Sequence, residues 1–283
     1  MTAKPRPPRD GHDVLAAIMR QRCRDVAEAR QRVSLKDLLL AAEGRRHHSL
    51  IDRLRGGIPP RIIAEVKKAS PSAGLLRADY DPAAIARDYA AAGAVGISVL
   101  TEPHRFLGGE SHLRAVRAAV DLPVLRKDFI CDAYQLAEAA AWGADVVLLI
   151  VAALEPAQCR TLHREALELG LEVLVEVHTA SELDTALACD GAIVGVNSRN
   201  LKTLDTSLDV AMELVELLPA DALCIAESGI KTTADLQRLG AAGYEGFLVG
   251  EALLREASPG AALTRLMGKG SLASHRDAKA VAD

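Results

Sequence analysis

The sequence predicts an α/β protein built as an eightfold (β/α) TIM barrel with an N-terminal helical extension. Three observations point there. Eight short runs rich in Ile, Leu and Val follow Arg61, near residues 62–67, 95–100, 123–127, 146–151, 172–176, 193–197, 223–227 and 246–249. Helical patterns fill the gaps, and several end in a glycine just before the next run. No G-x-G-x-x-G follows the first run, so the fingerprint of a dinucleotide-binding open sheet is missing. Alternating elements also fit a doubly wound sheet, but eight units within about 210 residues favour closure.

Taken in order, residues 1 to about 10 combine prolines and charges and are expected to be disordered. From Asp13 to about Gln31, Val14, Leu15, Ile18, Val26 and Ala29 recur at helical spacing among many arginines, which are expected to form a solvated face. Ser34 with Asp37 resembles a capping box opening a second helix, Leu35 to Ala42, which Gly44 ends. Arg45 to Pro60 reads as a polar connection. The domain reading is therefore residues 1–60 as an extension of two helices packed on the barrel, 61–267 as the barrel, and 268–283 as a flexible tail. Within the barrel, Asp81-Pro82 caps a helix that Ala92-Gly93 closes, and Gly143, Gly170 and Gly243 play the same closing part.

The 283 residues are enough for one large α/β domain. A net charge of -4 gives no support to nucleic-acid binding. The longest apolar run, Val146 to Leu154, is too short to span a bilayer, and the charged N-terminus carries no secretory pattern. Five cysteines, Cys23, Cys131, Cys159, Cys189 and Cys224, are scattered without a C-x-x-C pair, which argues against a disulfide framework or a zinc site. His47 and His48 have no ligand cluster beside them, so no metal is expected. A cytoplasmic protein is the reading.

In such barrels chemistry sits at the C-terminal ends of the strands. The first strand and its loop, IIAEVKKASPS, place Glu65 and Lys67 on one face, followed by Ser70 and Ser72. A carboxylate and an ammonium buried together are either a structural pair or a working site. The second strand ends in Ser98, Thr101 and Glu102, and the third in Arg126, Lys127 and Asp128. The fourth is wholly apolar. The fifth ends in Glu176 and His178, the sixth in Asn197 and Arg199, the seventh in Glu227, Ser228 and Gly229, and the eighth in Gly250 and Glu251.

Glycines just after the seventh and eighth strands expose backbone N–H groups suited to a phosphoryl group, which implies a small phosphorylated substrate. Lys127 and Glu176 are the preferred acid and base. Lys127, near other cations such as Lys67, is expected to lose its proton more readily than in water, with nearby carboxylates restraining that loss. Strand alternation separates Lys127 from Asp128. His178 reads as a loop histidine.

The segment AEVKKASPSAG, together with LRKDFICDAYQ, LVEVH, VGVNSRNLKTL, AESGI and FLVGEALL in that order, is very similar to the segments of the indole-3-glycerol phosphate synthase family. The resemblance runs from about Val14 to Met267. It implies a cofactor-independent lyase of tryptophan biosynthesis that closes and decarboxylates 1-(2-carboxyphenylamino)-1-deoxyribulose 5-phosphate. By similarity, Lys127 is the general acid and Glu176 serves the later dehydration. Glu65 and Lys67 support both steps, and Asn197 and Glu227 contact the intermediate. The resemblance further implies substrate contacts from Ser70, Phe129, Arg199 and Ser228, and a phosphate site of Lys67, Ser70, Gly229, Gly250 and Glu251. Ala69 stands where some members carry a basic residue. A phosphoribosylanthranilate isomerase-like barrel is the nearest alternative, but the first strand ends in Glu65 and Lys67 where a cysteine is expected. A phosphate-ligand-binding barrel without catalysis is the other.

Overall fold

The structure, a computed structural model, describes residues 14–200 and 205–268. The disordered segment expected at residues 1–10, and the tail from residue 269 onward, lie outside the described residues. Eight parallel strands close into a barrel: β1 (Ile62–Val66), β2 (Gly96–Leu100), β3 (Val124–Lys127), β4 (Val146–Ile150), β5 (Glu172–Val177), β6 (Ile193–Asn197), β7 (Cys224–Glu227) and β8 (Gly246–Val249). Closure comes where β1 pairs with β8, Ile62 opposite Phe247, and with β2, Ile63 opposite Gly96. The expected barrel is therefore present.

Period-two alternation explains why these strands read as almost unbroken apolar runs. Ile62, Ala64, Val66, Ile97 and Val99 face the surrounding helices, whereas Ile63, Leu125, Leu148, Leu174, Ile193 and Ile225 fill the interior. Each face buries its own core. The helices behind the strands begin and end as their sequences dictate. In α4 (Pro82–Ala92), Asp81 Oδ1 accepts from the Ala83 and Ala84 N–H groups at 3.0 Å, and Gly93 takes the left-handed conformation, φ 98°, that frees the chain to turn back into β2.

Among the described residues three helices, not two, precede β1. The first two are α1 (Val14–Arg32) and α2 (Leu35–Ala42), the latter capped by Ser34 as expected. The stretch read as a polar connection contains α3 (Leu50–Gly56), capped by Ser49. Its Leu50 and Leu54, one turn apart, enter the barrel floor, 1% and 0% exposed. Glycines make the room: a Cβ on Gly246 would stand 2.5 Å from Leu54 Cδ2, and one on Gly96 3.0 Å from Leu50 Cδ1. Glu172 at the start of β5 accepts from the Leu50 and Ile51 N–H groups at 2.8 and 3.1 Å, so a barrel carboxylate holds the helix start. Seven residues flanked by arginines give too short a period to stand out, but a Ser49 cap followed by Leu50 and Leu54 was the available signal.

The arginines of α1 depart from expectation in one place. Arg22 is buried and forks onto Asp128, Nε to Oδ1 at 3.0 Å and Nη2 to Oδ2 at 2.9 Å. Below it, Val26 of α1 and Leu38 of α2 pack on Tyr134, Ala137 and Ala141 of α6 (Ala133–Trp142). The extension is thus fixed against one side of the barrel by an ion pair and an apolar seam.

If α3 seals the barrel floor, Leu54→Ala should cost about 2–5 kcal/mol, the range for emptying a buried leucine site. Leu40→Ala on the exposed face of α2 should stay within about 0.5 kcal/mol of the parent. Denaturant midpoints of the two variants measure the contrast.

Candidate active site

The inward-facing row of each strand leads directly into the cavity at the C-terminal mouth. On β3 it runs Leu125, Lys127; on β5, Leu174, Glu176; on β7, Ile225, Glu227. These three rows converge. Lys127 Nζ donates to Glu176 Oε2 and to Glu227 Oε2, each at 2.7 Å. Lys127 and Glu176, expected as acid and base, face one another across one cavity. Glycines again create the space. A Cβ on Gly195 of β6 would stand 2.3 Å from Glu227 Oε1, and one on Gly250 would stand 2.4 Å from Glu65 Oε1.

Burial opposes every charge here, and the neighbours decide the outcome. Desolvation works against the Lys127 ammonium, but Glu176, Glu227 and Glu65 outweigh it and raise the lysine above its ordinary range. The expected loosening of the Lys127 proton is therefore reversed, because carboxylates rather than cations are its nearest neighbours. Glu176 is held well below the usual carboxylate range, since Lys127 and His178 overcome its burial. Glu227 goes the other way: burial pushes it up to about 7, Glu176 adds to the rise, and Lys127 only partly offsets it. Its Oε1 is buried and has no hydrogen-bond partner among the described residues.

His178 is more than a loop histidine. Its Nε2 lies 3.3 Å from Glu176 Oε1 and its Nδ1 lies 3.7 Å from Glu182 Oε2. Burial lowers its affinity for a proton, yet the two carboxylates prevail and push it up to about 9.

On the β1 side, Lys67 Nζ donates to Glu65 Oε1, and Ser70 Oγ accepts from the Ala73 N–H at 3.1 Å within a small hairpin, Ala69–Ser70 with Gly74–Leu75. Ala69 is buried in that hairpin. Arg199 reaches across the mouth from the end of β6, Nη1 donating to Ser72 Oγ at 3.0 Å and Nη2 to Glu251 Oε2 at 3.5 Å. Asn197 Oδ1 accepts from the Arg199 N–H at 3.0 Å and so shapes that turn. After β7, Ser228 and Gly229 both take positive φ, 64° and 81°, and after β8 Gly250 opens the short helix α11 (Glu251–Leu254). The Glu251 carboxylate is engaged by Arg255 at 2.7 and 3.0 Å.

Leu148 and Ile150 of β4 supply the apolar wall expected of that strand, joined by Phe129. The Phe129 ring stacks at a tilt with Phe106, centroids 5.9 Å apart. Leu15 and Ile18 of α1 complete the wall, and the cavity measures about 580 Å³. All of the residues named in advance for this site line it. Of the others named from strand ends, Asp128 also borders the cavity, whereas Arg126, Glu102 and His178 do not. The Asp128 carboxylate is held by Arg22, Arg126 and Thr101, while Arg126 is buried against Glu138 and the Trp142 ring, 4.1 Å from its centroid. Glu102 accepts from the His104, Arg105 and Phe106 N–H groups and organises a loop. Phe106, Lys231, Arg255 and Gly195 escaped sequence reading. For Gly195, the signal was a glycine at an inward position of a central strand.

The raised Glu227 fixes the sign of a pH effect. Between its ordinary value near 4.5 and about 7, the native state holds a proton the unfolded chain has released. Stability contributed by this group is therefore present at low pH and lost as pH rises through about 7. Unfolding free energies of Glu227→Gln and the parent, followed from about pH 5 to 8, should diverge in favour of the variant at the upper end.

The indole-3-glycerol phosphate synthase family model matches residues 15–266. Curated relatives agree. The indole-3-glycerol phosphate synthase of Laribacter hongkongensis is 48% identical over 259 residues, covering 90% of this chain and 98% of that protein. That of Bordetella pertussis is 46% identical over 261 residues, covering 90% and 99%. Among solved structures, the 3-hexulose-6-phosphate synthase of Salmonella typhimurium has a TM-score of 0.59 at 12% identity, covering 74% of this chain and 97% of its own. The thiamine phosphate pyrophosphorylase of Pyrococcus furiosus has 0.56 at 16%, covering 74% and 94%. Those two likenesses speak to the barrel alone. The family match and the relatives, set on a barrel whose mouth joins an ammonium, buried carboxylates and an aromatic wall, assign the chain to the indole-3-glycerol phosphate synthase family.

Proposed function

We propose that this chain closes the indole ring of 1-(2-carboxyphenylamino)-1-deoxyribulose 5-phosphate, releasing carbon dioxide and water, with Lys127 as the general acid. The supporting observation is the Lys127 ammonium held between Glu176 and Glu227 inside an apolar barrel mouth. Attack of the aromatic ring on the ribulose carbonyl breaks aromaticity, so the carbonyl oxygen must gain a proton as the bond forms. An ammonium kept charged by its neighbours is able to give one at neutral pH. Loss of carbon dioxide leaves its bonding electrons to restore the ring, and the new hydroxyl then departs as water with acid help. Glu176 serves that second transfer, with His178 holding it on the side away from Lys127.

Glu65 orients Lys67, and both bear on the reacting centre. Asn197 and Glu227 contact the intermediate. Phe129, beside Phe106, receives the aromatic half. Arg199 meets the substrate carboxylate, and Ser228 and Ser70 bind the polyhydroxyl chain. The phosphoryl group lies against Lys67, Ser70 and the Gly229, Gly250 and Glu251 backbone; an N–H role suits Glu251, whose carboxylate is occupied by Arg255. This chemistry needs no cofactor. No feature of the site favours the isomerase or the catalytically silent barrel. Among the described residues no helix is long and apolar enough to cross a membrane. A cytoplasmic location and the absence of a nucleic-acid partner remain part of the reading.

Indole fluorescence during turnover tests the assignment. Lys127→Met should lower kcat by about 10²–10⁴-fold, the usual contribution of a positioned proton donor, with a smaller change in KM. Full turnover by that variant would remove Lys127 as the acid.

A further inference from the structure

Two thiols meet where the extension touches the loop after β3. Cys23 on α1 and Cys131, two residues beyond Phe129, are 108 positions apart in sequence, yet their sulfurs lie 3.0 Å apart. Both are free thiols, Cys23 exposed and Cys131 half-buried. The backbone is fixed on each side of the pair. Arg22, the preceding residue, forks onto Asp128. The Cys131 N–H donates to Gln135 Oε1 at 2.8 Å, and its carbonyl accepts from Gln158 Nε2 at 2.9 Å. The remaining cysteines, Cys159, Cys189 and Cys224, are buried.

We propose that Cys23 and Cys131 are a site of oxidative modification, closed into a disulfide by exchange with a small-molecule disulfide such as oxidised glutathione. The exposed Cys23 thiolate attacks one sulfur of the small disulfide, whose S–S bond breaks and releases one glutathione thiolate. Cys131 then attacks Cys23 Sγ and expels the second. Two protein thiols become one disulfide, the small disulfide gains both electrons, and the two protons pass to the departing thiolates. Burial and the neighbouring Cys23 push the Cys131 thiol up, which leaves Cys23 as the first attacker. Leu15 and Ile18, on the same helix as Cys23, line the cavity, so the bond ties that wall to the segment carrying Phe129.

The test takes the reduced full-length chain, exposes it to rising ratios of oxidised to reduced glutathione, and reads intact mass, peptide map and thermal midpoint. The expected product has lost two hydrogens, yields a Cys23–Cys131-linked peptide and melts about 5 °C or more higher, because the bond closes a long loop. Dithiothreitol should reverse all three, and Cys23→Ser and Cys131→Ser should show none. A persistent glutathione adduct on Cys23 without the crosslink, a crosslink between other cysteines, or an unchanged midpoint in the crosslinked chain would each overturn the proposal. None of these readouts depends on turnover, so failure here is separable from failure of the lyase reading.

Discussion

One ammonium between two carboxylates sets the terms for the barrel mouth. Lys127, Glu176 and Glu227 are drawn from three different strands and meet at 2.7 Å, in a space whose lower walls are Leu125, Leu174 and Ile225. Two buried negative charges around one positive leave an imbalance, and Glu227 absorbs it by binding its proton more tightly. Replacing such a cluster by well-packed apolar groups is often neutral or stabilising, so its presence is poorly explained by stability alone. The proposed proton transfer supplies a reason for it, because the same burial that makes the charges costly holds groups of different proton affinity within one hydrogen bond's reach of each other.

Strand alternation makes this arrangement possible by sorting neighbours. Lys127 sits between Arg126 and Asp128 in sequence, and the pleat sends its ammonium to Glu176 and Glu227 while the side chains of its two neighbours pair with each other instead. Asp128 also joins Arg22 of the extension to Arg126 and Thr101. The chemical group and the group that anchors α1 are thus adjacent residues with different partners, and the helix carrying Leu15 and Ile18 is held to the strand whose lysine shares their cavity.

The barrel, and the convergence of the candidate site residues on one mouth, were legible because both follow from a period of two and from the rule that strand C-termini carry chemistry. Lys127, Glu176, Asn197 and Glu227 are each the last or near-last residue of a strand with apolar inward positions behind it. The misreadings share a cause. Arg126 and Asp128 look as polar as Lys127 in one dimension; Asp128 is paired by a helix more than a hundred residues earlier, and Arg126 is covered by Glu138 and Trp142 of the helix that follows. The fate of the Lys127 proton depended on distances to Glu176 and Glu227 that no local pattern encodes. Helix α3 was hidden by its length, and its partners, Gly96 and Gly246, read as ordinary strand glycines until Leu50 and Leu54 occupy the space above them.

The two ends of the barrel use carboxylates in opposite ways. At the floor, Asp145 accepts from the His48 and Val124 N–H groups at 2.9 Å and from Arg117 at 2.8 Å, while Glu172 takes the N–H groups that open α3. Those oxygens take backbone N–H groups, with Arg117 added at Asp145, which binds the extension and the sheet into one unit. At the mouth, Glu176 and Glu227 accept from a side-chain ammonium, and among the described residues Glu227 Oε1 has no partner. A carboxylate committed to several fixed backbone donors cannot change partners without local unfolding; one committed to a lysine can do so by a rotation of that lysine. The two ends of the barrel therefore differ in whether fixed backbone donors meet each carboxylate, and under the proposed function the side-chain donor at the mouth is what allows a proton to be exchanged there with a substrate.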